Sequence, residues 1–269
     1  MNPLDWDLGN VPPGIPWGGV DEAGRGAWAG PVVAACAVLD PAAVGKWGHI
    51  LREARDSKRL TPDRREALAM ELKAALAGWA VAEVDNLTVD RENVLEATLA
   101  AMRSAIRDVR PPPRILFIDG DRAPRSGQLE RLVVEGDALS CAVACASILA
   151  KTHRDALMRD LDCRHAGYGF ARHKGYGTAE HRAALDRLGA CPVHRLSYGP
   201  VAARIRADEG RREVLRLSLE QARSVVELQA WVETQLRPNY GSLKRTWIEA
   251  LRRRYADLLA RFAAGEASQ

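Results

Sequence analysis

No apolar run in this 269-residue sequence approaches the roughly 18 residues that a membrane-spanning helix requires, so a membrane is not expected as a partner. The opening stretch, MNPLDWDLGNVPPG, has neither a basic flank nor an apolar segment and does not read as a signal peptide. Internal repeats and low-complexity tracts are also missing, which argues against a solenoid or a long disordered linker. Cysteine is sparse: five residues, an odd number, stand at 36, 141, 145, 163 and 191 among mostly apolar neighbours. That pattern suits reduced thiols and a cytoplasmic location better than a disulfide framework. Neither sign of charge dominates, since the net charge is +4 and residues 1 to 200 hold 26 basic and 26 acidic side chains. The excess lies in residues 201 to 269, with 13 Lys+Arg against 9 Asp+Glu. So mild a bias does not by itself indicate nucleic-acid binding, which depends on clustered charge.

What is present is the composition of a folded protein, 47% hydrophobic and 28% charged, long enough for one large domain or one domain with an appendage. Pro12, Pro13 and Pro16 close a flexible lead, expected over residues 1–14. Residues 17–23 and 31–39 read as two strands around a glycine-rich turn, the second rich enough in Val and Ala to be buried on both faces. Beyond the loop DSKRLTPDRRE, Thr61 is the expected N-cap of a helix with Pro62 at its first position. A strand follows at 79–84, a helix at about 88–108, and proline stops it at 111–113. RILFID and RLVVEGD then supply two short strands, each ending on an acid, before a helix at 138–160. A strand hairpin followed by strands alternating with helices indicates an α/β domain with a mixed sheet.

Asp21, Glu22, Asp119 and Asp137 thus fall at or near strand ends, where α/β sheets present ligand-binding groups. Carboxylates gathered without cations repel one another, and a hard divalent ion is the natural remedy; magnesium or manganese suits an all-oxygen set. Adjacent acids also arise by chance among 35 of them, as Asp208-Glu209 illustrates. Asp121 competes with Asp119, but strand alternation leaves Asp121 in the following loop.

The surroundings of these acids resemble the type II ribonuclease H family, ribonuclease HII. GVDEAGRG with GPV, DSKRL, FIDGD, EGDA, ASILAKTHRD, HKGYGTAEH and HRLSYGPV occur in the family's order over about residues 15–205. The resemblance implies a ribonuclease H-like fold, a mixed five-stranded sheet flanked by helices, with residues 15–205 as catalytic domain. It implies endonucleolytic cleavage of the RNA strand of an RNA/DNA hybrid, or a nick 5′ of a ribonucleotide in duplex DNA, leaving 3′-hydroxyl and 5′-phosphate ends. Asp21, Glu22, Asp119 and Asp137 match the family's metal-binding carboxylates, which hold two ions roughly 4 Å apart around the scissile phosphate. Gly24, Arg25 and Gly26 match the segment whose backbone meets the ribose 2′-hydroxyl. Tyr176 matches the tyrosine that stacks on the sugar after the ribonucleotide, with Tyr168 as its decoy. Lys58 and Lys151 match positions near the substrate and can supply charge to phosphates. His173, Lys174, His194 and Arg195 are secondary candidates. A monomer is implied, and no protein partner is identified.

One departure stands out, because Glu135 occupies a position that is usually basic in the family. Cys141 and Cys145 replace small apolar residues and read as core thiols. Two other readings exist: a zinc set of Cys163, His165, Cys191 and His194, and a hybrid-binding relative without catalysis. Residues 206–269 go beyond the recognised core as a helical C-terminal extension. There Ser218 is expected to cap a helix bearing Val225, Leu228 and Val232, and Ser242 to begin another bearing Leu243, Trp247, Leu251, Tyr255, Leu258 and Phe262. A helical hairpin packed on the catalytic domain is the simplest expectation, and Arg252, Arg253 and Arg254 leave duplex or protein contact open.

Overall fold

The computed structural model describes residues 2–54, 61–243 and 245–264, in two compact units. The first comprises residues 1–166 and 170–177, and the second residues 167–169 and 178–269. The expected lead is not flexible in residues 3–10. Asn2 caps a helix, α1 (Pro3–Asn10), whose Leu4 and Asp7 are fully buried. Trp17 Nε1 and the Ala142 N–H both donate to Asp7 Oδ2, at 3.0 and 2.9 Å, and these bonds tie the helix down.

Strand β1 (Trp17–Ala23) pairs antiparallel with β2 (Val32–Leu39), all eight residues of which are buried. After α2 (Pro41–Leu51), the Thr61 hydroxyl accepts from the Arg64 N–H and caps α3 (Pro62–Ala75), as its sequence predicts. Strand β3 (Gly78–Val84) adds antiparallel to β2. The single helix expected at 88–108 is two, α4 (Asn86–Glu92) and α5 (Val94–Asp108). Asn93 interrupts it with φ of 74° and turns its side chain to accept from Leu95 and Glu96, a local bond that competes with helix continuation. Strands β4 (Ile115–Asp119) and β5 (Glu130–Val133) complete a sheet of order β3-β2-β1-β4-β5, with β1, β4 and β5 parallel. Next come α6 (Gly136–Leu139) and α7 (Cys141–Arg164), separated by the Ser140 N-cap.

Alternate residues of the central strands feed two cores. Trp17, Val33, Ala35 and Phe117 meet α7 and its neighbours, including Cys141 and Cys145 as buried thiols. Val20, Ala34, Cys36 and Ile118 meet Met102 and Ile106 of α5 on the opposite face. Gly19 is required here: a Cβ would lie 2.0 Å from the Ala142 carbonyl carbon, so only glycine lets the first turn of α7 rest on β1. The short α8 (Phe170–His173) belongs to this unit.

The second unit contains α9 (Ala179–Leu188), α10 (Gly199–Glu220), α11 (Val225–Trp231), a π-turn at Val232–Leu236, α12 (Arg237–Asn239) and α13 (Arg245–Ala263). The boundary expected between residues 205 and 206 falls inside α10, where no proline or glycine interrupts the chain until Gly210, which the helix absorbs. Ser218 therefore lies within α10, where its hydroxyl accepts from Trp231 Nε1, and Ser224 is the cap of α11. The apolar stripe of the extension is buried in this unit's own core of Leu215, Leu219, Leu228, Trp231, Leu251 and Leu258.

Candidate active site

The register of the parallel strands assembles the site. Val20 stands opposite Ile118, so one step further along the strands Asp21 comes level with Asp119. Beyond the end of β5, Glu135 adopts left-handed backbone with φ of 56° and turns the chain into α6, which carries Asp137. The Gly136 N–H donates to Asp119 Oδ1 at 2.7 Å, tying the start of that turn to the end of β4. A cleft of about 340 Å³ results, lined by Asp21, Glu22, Asp119 and Asp137, by Gly24, Arg25 and Gly26, and by Ser147, Lys151 and Tyr176. Of the residues expected from sequence, Lys58 lies outside the described residues, and the secondary candidates His173, Lys174, His194 and Arg195 do not line the cleft. Asp121 and the aberrant Glu135 are exposed and do not line the cleft.

Helix α7 contributes a whole face, because Ser147, Lys151, Arg154 and Asp155 recur at helical spacing. Lys151 Nζ stands 3.7 Å from Asp155, which also meets Arg65 at 3.5 Å. Neither Ser147 nor Arg154 was expected as a functional residue, yet both are central to the geometry. Arg154 is 2% exposed and donates to three carbonyls, of Pro31, Lys174 and Ala29, at 2.9, 2.9 and 3.2 Å. Its guanidinium also sits 5.4 Å from the centre of the Tyr176 ring. The Trp28 N–H donates to the Gly175 carbonyl at 2.8 Å, so the glycine-rich turn and the segment bearing Tyr176 are fastened to each other twice. Gly24, with φ of +91°, lies where a Cβ would come 1.8 Å from Arg154 Nε; the bend and the close approach both demand glycine. The arrangement was legible only as a spacing, with Arg154 three residues after Lys151 on the same helix face.

Electrostatics set this cleft apart. Burial pushes the Asp21 carboxyl well above its ordinary range, the charges of Glu22 and Asp119 push it the same way, and a Ser147 hydrogen bond and the Glu22 N–H pull it back. Burial also raises Glu22, opposed by the Arg25 guanidinium at 3.8 Å and reinforced by Asp119. The acids therefore hold excess negative potential, and all their donor atoms are hard oxygens, which fits a divalent cation. They share a cleft without closing on one point: among the described residues no three His, Cys, Asp or Glu side chains stand ready to hold an ion. Cys163 is exposed on α7, while His194 receives the Cys191 N–H at Nδ1 and faces His181 Nε2 at 3.1 Å. Arg195 is fully buried in the same second unit, and His173 accepts the Gly175 N–H in the first.

A mixed sheet that brings two acids level on adjacent parallel strands, with two more beside them, is the arrangement expected of a metal-dependent nuclease of ribonuclease H-like architecture. The profile of the family described as Ribonuclease HII matches residues 18–201. Ribonuclease HII of Thiobacillus denitrificans is 50% identical over 183 residues, covering 68% of this chain and 87% of its own length. That of Polaromonas sp. is 45% identical over 206 residues, covering 77% and 98%. Ribonuclease H2 from Pyrococcus horikoshii superimposes with a TM-score of 0.62 at 26% identity, over 72% of this chain and 98% of that one. Ribonuclease HII of Archaeoglobus fulgidus, solved in complex with PCNA, gives 0.58 at 25% identity, covering 70% and 96%. The chain belongs to the ribonuclease HII family, metal-dependent endoribonucleases that hydrolyse RNA in RNA/DNA hybrids.

Proposed function

We propose that this chain cuts 5′ of ribonucleotides, both in RNA/DNA hybrids and singly embedded in duplex DNA, and that Asp21, Glu22, Asp119 and Asp137 hold the ions it needs. The observation that carries this reading is one cleft in which the four acids face the Gly24–Gly26 backbone and Tyr176. Two divalent ions, magnesium or manganese, would supply an activated water and charge neutralisation at the scissile phosphate and the leaving 3′ oxygen. The chain's own part is positioning. Asp119 is held by the Gly136 N–H, and Asp21 is oriented by the Glu22 N–H with a further bond to Ser147. Backbone groups of Gly24 to Gly26, with Arg154 set against Gly24, meet the 2′-hydroxyl and so distinguish RNA from DNA. Tyr176, 39% exposed with Arg154 behind its ring, offers a face for the following sugar. Arg25 and Lys151 bring positive charge to the flanking phosphates.

Five free cysteines, three of them buried, support a reducing cytoplasmic setting, and the chain would act as a monomer. Among the described residues no helix is long and apolar enough to cross a membrane.

A labelled DNA duplex with one ribonucleotide tests the reading, incubated with magnesium or manganese, with EDTA, and with Asp119→Asn. A metal-dependent nick immediately 5′ of the ribonucleotide is expected. The variant should lose several kcal/mol of transition-state stabilisation, about a thousandfold in rate. Cleavage of long hybrids alone would refute the junction roles of Gly24 to Gly26 and Tyr176. Binding without cleavage of either substrate would favour a non-catalytic hybrid-binding protein.

A further inference from the structure

The first unit carries a second cleft, of about 570 Å³, between the C-terminal half of α5 and the segment joining β4 to β5. Its polar lining is Arg103, Ser104, Arg107, Arg125, Ser126 and Gln128, with no carboxylate among the lining residues. The catalytic cleft, with its four acids, is the electrostatic opposite. Among the described residues neither Arg103 nor Arg125 forms a salt bridge: Arg103 Nη1 donates to the Pro124 carbonyl at 3.2 Å, and Arg125 donates through its backbone N–H to Glu130 at 3.1 Å. Arg107 is paired with Asp108, but both side chains are exposed, and such a pair gives way at little cost.

The loop under this cleft is built rather than slack. Arg125 holds left-handed backbone, φ 58°, an uncommon state for a side chain of its size. The Glu130 carboxylate maintains it by accepting from the N–H groups of Arg125 and Ser126 and from the Ser126 hydroxyl. Glu130 is thereby engaged by two backbone N–H groups and a hydroxyl, and among the described residues no carboxylate pairs with the guanidiniums of Arg103 and Arg125. The buried Gln128 Oε1 beside them has no hydrogen-bond partner among the described residues, and half a turn of the amide would present donors in its place. Guanidiniums with hydroxyl and amide groups, in a cleft whose lining holds no carboxylate, are the chemistry that holds a phosphate group.

We propose that this cleft is a phosphate-binding site, with Arg103 and Arg125 as its principal ligands and Arg107 and Ser104 completing it. The phosphate comes either from the backbone of a bound duplex or from a free phosphorylated small molecule. The duplex alternative rests on the hybrid-nuclease reading, whereas the small-molecule alternative does not.

The experiment compares the full-length protein with Arg103→Gln/Arg125→Gln and with Ser104→Asp, which places a negative charge in the cleft and leaves both arginines. Binding of a hybrid of about 30 base pairs is measured across salt concentrations, each lost phosphate contact being expected to flatten the slope of log K against log[salt] by about 0.9. Pyrophosphate is titrated in parallel by calorimetry. A slope flattened by one to two contacts in both variants, with EDTA-sensitive cleavage of a short substrate unchanged, assigns the site to the duplex backbone. An unchanged slope with pyrophosphate binding to wild type and lost in both variants assigns it to a free phosphate ligand. If neither the slope nor pyrophosphate binding responds in either variant, the proposal fails, and it fails independently of whether the enzyme cuts hybrids.

Discussion

The two units solve the problem of cohesion differently. In the first, positions are fixed by single atoms: no Cβ fits at Gly19 or Gly24, three backbone carbonyls converge on Arg154, and two strands are in register so that Asp21 meets Asp119. In the second, a core of seven leucines, a tryptophan and their neighbours is overlaid by exposed arginine–glutamate pairs at helical spacing. Hydrophobic packing of that kind depends on volume and pattern more than on any one residue. The difference teaches where substitution should be felt: the first unit tolerates no added methyl at Gly19 or Gly24, while a helical bundle distributes its stability over many small terms.

The sharpest way to break this contrast is Gly24→Ala. The new methyl would lie 1.8 Å from Arg154 Nε at a backbone φ of +91°, so Arg154 must move and its three carbonyl acceptors lose their donor. Left-handed strain plus buried unsatisfied groups should cost about 4 kcal/mol. Thermal unfolding reads the stability, and the ratio of ribonucleotide-specific to background cleavage reads the site. Wild-type behaviour in both would show that the turn is slack and that the first unit is no more exacting than the second.

Much of this unit was legible in the sequence. The strands expected at 17–23 and 31–39, the second observed from Val32, the Thr61 cap and the four acids needed only strand patterning, capping chemistry and the tendency of sheets to present acids at strand ends. Less visible was whatever depends on partners distant in sequence. Arg154 and Ser147 gain their meaning from carbonyls and carboxyls more than a hundred residues away, and Asn93 and Ser140 break helices through side-chain bonds whose strength a periodicity does not convey. The lead was misjudged for the same reason, since Asp7 finds its partner 135 residues on.

Asp7 provides the next test, of intermediate size. Burial pushes its carboxyl up to about 6, against the pull of the Trp17 and Ala142 N–H groups. A carboxyl raised in the folded state binds more protons there than in the unfolded chain, so its ionisation weakens the fold as pH rises from about 4 to about 6. The penalty, complete above that window, is about 3 kcal/mol. Asp7→Asn keeps an acceptor for α7 without the charge. Relative to wild type, the variant should therefore gain stability progressively across pH 4 to 6 in urea unfolding, with the difference flat above pH 7. A difference independent of pH would place the carboxylate in contact with water and detach α1 from the core of the first unit.

The smallest effect is expected in the second unit, where Arg254 forks onto Glu220 with bonds of 2.6 and 2.7 Å. Ideal geometry invites a large estimate, but the side chains are 39% and 29% exposed and solvent screens their attraction. A double-mutant cycle of Arg254→Met and Glu220→Gln, which retains the aliphatic stems, should give a coupling below about 1 kcal/mol. Because Arg254 depresses the Glu220 carboxyl, the contribution is present at neutral pH and disappears only as pH falls below the ordinary glutamate range. High salt should shrink it further. A coupling of about 2 kcal/mol or more, insensitive to salt, would mean that this pair acts as a buried bridge, and the second unit would then owe its cohesion to directed contacts as the first does.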